Sequence, residues 1–182
     1  MRHYLLDASV LVDFLNKSIE TKAVRVRAAV TKLLALKTAR KARLYVPNVC
    51  MAECSKAFAR TAYEALPPHK AGDAYRTYVD ALLELVSSRR TGTISSLDLV
   101  REDLEDIEDI FKFEHPLPRR DRAGSLSGVD AIIIAMGRRL IRRHGDDDVL
   151  IVTAEKDIVA VCQRFRPDLP AAAYAQAHVP DA

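Results

Sequence analysis

The sequence predicts an α/β fold with a central parallel sheet, and three observations lead to this prediction. Short apolar segments with the pattern of strands alternate with longer segments whose apolar residues recur at helical spacing. One strand segment, 149–153, is apolar at its first four positions, as is typical of a parallel strand that is buried on both faces. The connections between strand segments are too long for hairpins, which favours parallel pairing.

Four segments are predicted to be strands because each is a short, mainly apolar run beside polar residues, glycine or proline. Pro47 closes the second strand, and Gly92 precedes the third. The predicted strands are 3–6, 44–46, 93–97 and 149–153.

Helical periodicity and helix-boundary residues predict the segments that connect the strands. Ser9 and Asn48 are predicted N-caps, Pro67 ends one helix, and Gly145 ends another. The predicted helices are 10–15, 22–41, 49–66, 71–89, 100–113, 129–144 and 155–165, and a loop is predicted for 115–128.

The length of 182 residues and a hydrophobic fraction of 49% support one folded domain with a sizeable core. No apolar run has the roughly 18–20 residues that a membrane span needs, and the start of the chain lacks the pattern of a signal peptide. We therefore expect a cytoplasmic protein with no membrane partner. The three cysteines form neither a paired framework nor a zinc-ligand pattern, so we expect ordinary buried thiols.

The net charge is only +3, but the charged residues are segregated along the chain. Basic residues cluster at 17–43, 119–122 and 138–143, whereas 98–109 is strongly acidic. Segregated charge of this kind indicates a polyanionic partner on one face. The alternative interpretation is that each cluster is an ordinary solvated helix face.

Five carboxylates are expected near one edge of the predicted sheet. Each stands just after a predicted strand or near the start of a helix that begins at the carboxyl ends of the strands. Open α/β sheets bind their ligands at that edge. The five residues are Asp7, Glu53, Asp130, Glu155 and Asp157.

Carboxylates gathered this closely repel one another unless a cation compensates their charge. Oxygen ligands of this kind suit Mg²⁺ or Mn²⁺, which activate water and stabilise the oxygens of a phosphoryl displacement. Taken singly, Asp7 could be a turn residue and Asp130 a helix-capping residue. The convergence of the whole set therefore carries the prediction of a metal centre.

Four segments together resemble the PIN-domain nucleases, and most closely the VapC-type toxins of bacterial toxin–antitoxin pairs. The segments 5–12, 46–53, 129–135 and 149–157 contain the acids in the order and sequence context typical of that family. The resemblance implies a PIN-like α/β/α sandwich over residues 1–166, with a longer helical insertion at about 61–127. We expect residues 167–182 to be a flexible C-terminal tail.

The resemblance also implies functional residues and partners. Asp7, Glu53, Asp130 and a fourth acid would hold Mg²⁺ or Mn²⁺, with Ser9 and Thr153 as supporting polar groups. The chain would hydrolyse RNA, either single-stranded or tRNA-like, form a homodimer and bind a cognate antitoxin.

The last motif departs from the usual family pattern. Glu155 stands where Asp is commoner, and Ile158 stands where Phe is usual. The departure leaves both Glu155 and Asp157 as candidates for the fourth metal ligand, and Asp157 joins Asp7, Glu53 and Asp130 in the predicted catalytic set.

Two other functions compete with a metal-dependent ribonuclease. The first is a non-catalytic RNA-binding or scaffold protein on the same fold. The second is a phosphatase with Asp7 as the nucleophile, but Ser9 stands where a haloacid-dehalogenase-like phosphatase needs a second Asp. The chain also lacks a glycine-rich phosphate loop, which argues against a nucleoside-triphosphate enzyme.

Overall fold

A computed structural model describes residues 1–16, 20–86, 93–114 and 126–176. The described residues form a five-stranded sheet in which every pairing is parallel, flanked by seven α-helices. This architecture confirms the predicted α/β/α sandwich with a central parallel sheet. The strands are β1 (Arg2–Leu6), β2 (Ala42–Pro47), β3 (Ser95–Leu97), β4 (Val149–Thr153) and β5 (Ala171–Tyr174).

The sheet has the strand order β3-β2-β1-β4-β5, which places β1 at its centre. Leu5 lies opposite Tyr45 of β2 on one side and opposite Ile151 of β4 on the other. Tyr4, Leu5 and Leu6 are completely buried, as expected for a central strand covered on both faces. Because all strands are parallel, their carboxyl ends lie at the same edge of the sheet.

The helices connect the strands much as the periodicity predicted. Helices α1, α2, α3 and α4 pack in one group, and α5 and α6 pack against each other. Among the described residues, no helix is long and apolar enough to form a membrane span. The helices are α1 (Ala8–Leu15), α2 (Thr21–Thr38), α3 (Asn48–Ala65), α4 (Pro68–Leu85), α5 (Arg101–Glu114), α6 (Gly128–His144) and α7 (Lys156–Arg164).

The two predicted N-caps are wrong by one or two residues. Asp7, rather than Ser9, occupies the N-cap position of α1, and the Ser9 hydroxyl donates to the Asp7 carboxylate. Pro47 occupies the N-cap position of α3. The Asn48 side chain instead accepts a hydrogen bond from the backbone N–H of Leu99, beyond β3. In both cases the side chain forms a different hydrogen bond from the expected cap, with a neighbour in sequence for Ser9 and with a distant residue for Asn48.

Other boundaries differ by a few residues. Pro68 begins α4 because proline is favoured in the first turn of a helix, where its missing N–H has no partner to lose. The predicted strand 93–97 shortens to β3, with Ile94 joined only by an isolated bridge to Val86. The end of the predicted helix 71–89 and most of the predicted loop 115–128 lie outside the described residues.

The C-terminal segment corrects the prediction of a flexible tail from residue 167. Residues 171–174 form β5, which pairs in parallel with β4. Leu169 and Ala175 on either side are completely buried. The Ala- and Pro-rich composition gave no strand signal, because backbone pairing with the edge of β4 decides this segment. Residues 177–182 lie outside the described part of the chain.

The acidic segment 98–109 and the basic cluster 138–143 form ion pairs with each other between α5 and α6. Arg139 Nε lies 3.0 Å from Asp103 Oδ1. Asp106 lies 3.3 Å from Arg138 and 2.8 Å from Arg142. These three arginines thus contact acids within the fold, and their role in binding a polyanion stays a prediction. The cluster 119–122 lies outside the described residues.

Candidate metal centre

Asp7 lies where the central strand ends and α1 begins. Its backbone N–H donates to the carbonyl of Val152 at 3.0 Å, which ties the end of β1 to β4. Its side chain is only 3% exposed. The parallel sheet therefore presents a buried carboxylate at the centre of its carboxyl edge.

Two hydroxyl groups hold the Asp7 carboxylate. Ser9 Oγ donates to Asp7 Oδ2 at 2.6 Å, and Thr153 Oγ1 donates to the same oxygen at 2.7 Å. Each hydroxyl also accepts a backbone N–H from the β4–α7 turn, that of Ala154 at 3.1 Å and that of Glu155 at 2.9 Å. The two supporting polar groups named from the sequence thus bind Asp7 directly and fix the turn that carries Glu155.

Glu53 approaches Asp7 from α3. One carboxylate oxygen of each residue and the Sγ atom of Cys50 all lie within 4.8 Å of one another. From the sequence, Cys50 was predicted to be only a buried thiol, and its position at this site was not predicted. Its position three residues before Glu53, on the same side of the helix, was the signal available.

Asp130 lies in the first turn of α6 and has a structural role there. Its Oδ2 accepts the backbone N–H of Ser127 at 2.8 Å, while its own N–H donates to Ser127 Oγ at 3.1 Å. This reciprocal capping box fixes the side chain at the start of the helix. The N-cap itself is Ser127, so Asp130 contributes to capping from the third position of the helix, and its charge is also close enough to raise the pKa of Asp7.

Electrostatics joins four carboxylates into one group, the acid cluster, which consists of Asp7, Glu53, Asp130 and Glu155. Burial raises the pKa of Asp7, and Asp130 raises it further, while the Ser9 and Thr153 hydrogen bonds oppose the increase. The pKa values of Glu53 and Glu155 are also raised, first by desolvation and then by Asp7 and Asp130.

Asp157 lies at the margin of this group. It raises the pKa of Glu155, but less than Asp7 and Asp130 do. Glu155 occupies the N-cap position of α7, directly after the turn bonded by Ser9 and Thr153, whereas Asp157 is in the first turn of that helix. The geometry therefore favours Glu155 over Asp157 as the fourth acid.

Comparison with solved structures identifies the fold. The chain is similar to the crystal structure of VapBC2 from Rickettsia felis bound to a DNA fragment from their promoter, with a TM-score of 0.56. The match has 12% sequence identity and covers 93% of this chain and 96% of that chain. The chain has a VapC-like PIN fold.

A second solved structure is also similar to this chain, and two other comparisons found no match. PAE2754 from Pyrobaculum aerophilum matches with a TM-score of 0.47 and 14% identity, covering 95% of this chain and 84% of that chain. No family model matches the sequence, and no curated protein matches it.

The PIN-like fold places a cleft of about 460 Å³ beside the acid cluster. Glu53 and Glu155 line it together with Lys22, Lys56 and Arg60. Lys56 lowers the pKa of Glu53, and Lys22 lowers that of Glu155, so each cation partly offsets the effect of the neighbouring acids. The cleft thus combines a negative centre with a positive wall.

The chemistry of the donor atoms fits a hard divalent cation. Carboxylates from four separate elements interact here, and the pKa values of Asp7, Glu53 and Glu155 are raised first by burial and then by the neighbouring acids. Burial and then Asp7 raise the pKa of the Cys50 thiol, which therefore stays protonated at neutral pH. Protonated sulfur is a poor ligand, so the oxygens are the donors at this site, and they suit Mg²⁺ or Mn²⁺.

Proposed function

We propose that this chain is a metal-dependent endoribonuclease that hydrolyses RNA phosphodiester bonds. The observation that carries this proposal is the acid cluster, in which burial and then the neighbouring acids raise the pKa values of Asp7, Glu53 and Glu155 at the carboxyl edge of a PIN-like fold. Such a cluster opposes folding of the metal-free chain, so a cation-binding role explains its presence better than a structural role does.

Asp7, Glu53, Asp130 and Glu155 would hold Mg²⁺ or Mn²⁺. When bound, such an ion lowers the pKa of water and neutralises the charge of a phosphoryl group. Ser9 and Thr153 donate to one oxygen of Asp7, and these hydrogen bonds favour its ionised form and fix its orientation. Asp157 supports Glu155 from the first turn of α7.

The groups around the acid cluster favour water over a side chain as the nucleophile. The Ser9 hydroxyl donates a hydrogen bond to Asp7, and the Cys50 thiol is buried with a raised pKa. Asp7 itself is buried and accepts two hydrogen bonds on one oxygen, which leaves it poorly placed for covalent attack. These contacts support direct attack by water over the phosphatase alternative, in which Asp7 is the nucleophile.

We also infer a toxin role with a cognate antitoxin as partner, a cytoplasmic location and a homodimeric assembly. The likeness to a VapBC2 complex and the sequence motifs support the antitoxin partner. The partner would have to cover the cleft or the acid cluster to inhibit cleavage.

The test is cleavage of a mixed cellular RNA pool by the purified chain with Mn²⁺ or Mg²⁺, or with EDTA. We expect discrete cleavage that requires the metal and is lost in Asp7→Asn. Asp80→Asn on the exposed side of α4 removes the same charge far from the cluster and should retain activity. A folded wild-type protein that binds RNA and metal but does not cleave would favour the non-catalytic RNA-binding alternative.

A further inference from the structure

The positive wall of the cleft is built mainly by one face of α3. Glu53, Lys56 and Arg60 follow one another at spacings of three and four residues, so they lie on the same side of the helix. With a rise of about 1.5 Å per residue, Lys56 lies about 4.5 Å and Arg60 about 10 Å along the helix axis from Glu53. The two cations therefore form a row that leads away from the acid cluster.

The charges of this row are available to a ligand. Both side chains are exposed, and within the described residues neither forms an ion pair with a carboxylate. Lys22 faces the same cleft, but its Nζ lies 3.8 Å from Asp13 Oδ2 and is partly neutralised there. Of the three cations that line the cleft, Lys56 and Arg60 are thus the two that form no ion pair in the described part of the chain.

The remaining lining restricts the kind of ligand. Ala8, Val12 and Ala57 supply small apolar surface, and none of the lining residues in the described ranges is aromatic. Without aromatic rings the cleft offers no platform for base stacking, so backbone charge must dominate the affinity. A volume of about 460 Å³ suits one extended strand better than a duplex.

We propose that Lys56 and Arg60 bind successive phosphates of a single-stranded RNA whose scissile phosphate lies at the acid cluster. The identity of the polymer as RNA rests on the proposed function, whereas the phosphate-binding row rests on the α3 geometry. The row makes Lys56 and Arg60 positioning residues: they hold the strand on one side of the cleavage point and contribute no group to the reaction.

The test measures binding without turnover. A fluorescently labelled oligouridine is titrated with the full chain in EDTA at several salt concentrations, and the slope of log K against log salt concentration is determined. Lys56→Gln/Arg60→Gln should reduce the slope by about 1.4, because each phosphate contact on a single strand contributes about 0.7. Lys41→Gln/Arg43→Gln removes the same two charges from exposed positions at the amino edge of the sheet and should leave the slope unchanged.

An unchanged slope in the Lys56/Arg60 variant would overturn the proposal, as would an equal decrease in the Lys41/Arg43 control. Thermal unfolding followed by circular dichroism confirms that both variants fold. Cleavage is measured separately with metal, so the two proposals can fail independently. A reduced slope without any metal-dependent cleavage would retain the phosphate-binding row and reject the nuclease. Metal-dependent cleavage with an unchanged slope would retain the nuclease and reject the phosphate-binding row.

Discussion

At the scale of single residues, the Asp7 carboxylate combines deep burial with three acidic neighbours. Its hydrogen bonds from Ser9 and Thr153 do not outweigh these effects, because its pKa remains raised. An ionised carboxylate with a raised pKa lowers the stability of the metal-free protein, and a bound cation would stabilise it. Catalytic and binding sites commonly carry this kind of local conflict.

The first prediction concerns the stability of Asp7→Asn. In EDTA the variant should be more stable than the wild type by at least about 1 kcal/mol, which raises the melting temperature by about 2–4 °C for a chain of this length. Mn²⁺ at 100 times its Kd should add about 2.7 kcal/mol to the wild type and much less to the variant. Thermal unfolding with and without Mn²⁺ measures both effects. A variant that is destabilised in EDTA would contradict this account of the cluster.

The second prediction separates the two candidates for the fourth ligand. Because Glu155 interacts more strongly with Asp7 and Asp130, Glu155→Gln should weaken Mn²⁺ binding by at least tenfold. Asp157→Asn, two residues away on the same helix, should weaken it less than threefold. Isothermal titration with Mn²⁺ gives both affinities, and the opposite order would assign the ligand to Asp157.

At the scale of secondary-structure elements, a buried ion pair joins α5 to α6. Asp103 is completely buried, and its Oδ2 accepts the backbone N–H of Val100 at 3.0 Å. Arg139 lies against the other carboxylate oxygen without hydrogen-bond alignment, and its Nη2 donates to the carbonyl of Asp98 at 2.7 Å. The pair thereby fixes the segment between β3 and α5 on the helix that carries Asp130.

The third prediction tests this pair. Arg139→Met should destabilise the chain by about 3–5 kcal/mol, because it leaves the Asp103 carboxylate buried without its charged partner. Asp103→Leu/Arg139→Met should recover part of that loss, since no buried charge remains. Arg143→Gln, at an exposed position on the same helix, should stay within about 0.5 kcal/mol of the wild type. Chemical denaturation measures all three, and equal losses in the single and double variants would reject the explanation.

At the scale of the whole molecule, the two edges of the sheet titrate in opposite directions. At the amino edge, His3 stacks on His144 at a centroid distance of 3.7 Å, and its Nδ1 lies 3.2 Å from the Tyr45 hydroxyl. Burial, followed by the charges of His144 and Arg43, lowers the pKa of His3 to about 4. At the carboxyl edge, by contrast, the pKa values of Asp7, Glu53 and Glu155 are raised.

The signs follow from proton binding in the two states. Between pH 6.5 and about 4 the unfolded chain binds a proton at His3 that the folded chain excludes, so His3 makes stability fall as the pH falls. In the folded chain, Asp7, Glu53 and Glu155 hold protons that the unfolded chain has released, so without metal they make stability fall as the pH rises above the ordinary values of these carboxyls, 3.8 and 4.5. Each edge therefore limits stability on one side of the pH scale.

The fourth prediction is that His3→Phe makes the chain relatively more stable at low pH. Phe retains a ring for the stack but has no proton to exclude, so the difference in stability between variant and wild type should move in favour of the variant as pH falls from 6.5 to about 4. Urea denaturation in EDTA at intervals across this range provides the measurement. A constant difference at every pH would show that His3 does not titrate as described.

Much of the fold and part of the site were predictable from the sequence. The bounds of β4 were predicted correctly, because a run of four apolar residues and a threonine after a polar turn allows few alternatives. The acids at strand ends and helix starts could be placed at one edge, since parallel strands all end there. The predicted helix bounds were correct to within a few residues where caps and prolines are local signals.

Only the tertiary structure decided the features that depend on partners distant in sequence. These are the contacts of Ser9 and Thr153 with Asp7, the proximity of Cys50, the matching of α5 acids with α6 arginines, and the addition of β5 to the sheet. Periodicity and capping residues act over one or two turns of chain, so the sequence by itself determined the elements and their shared edge. The distances between side chains on different elements depend on how those elements pack. That packing brings Glu155 close enough to Asp7 for the Asp7 charge to raise its pKa.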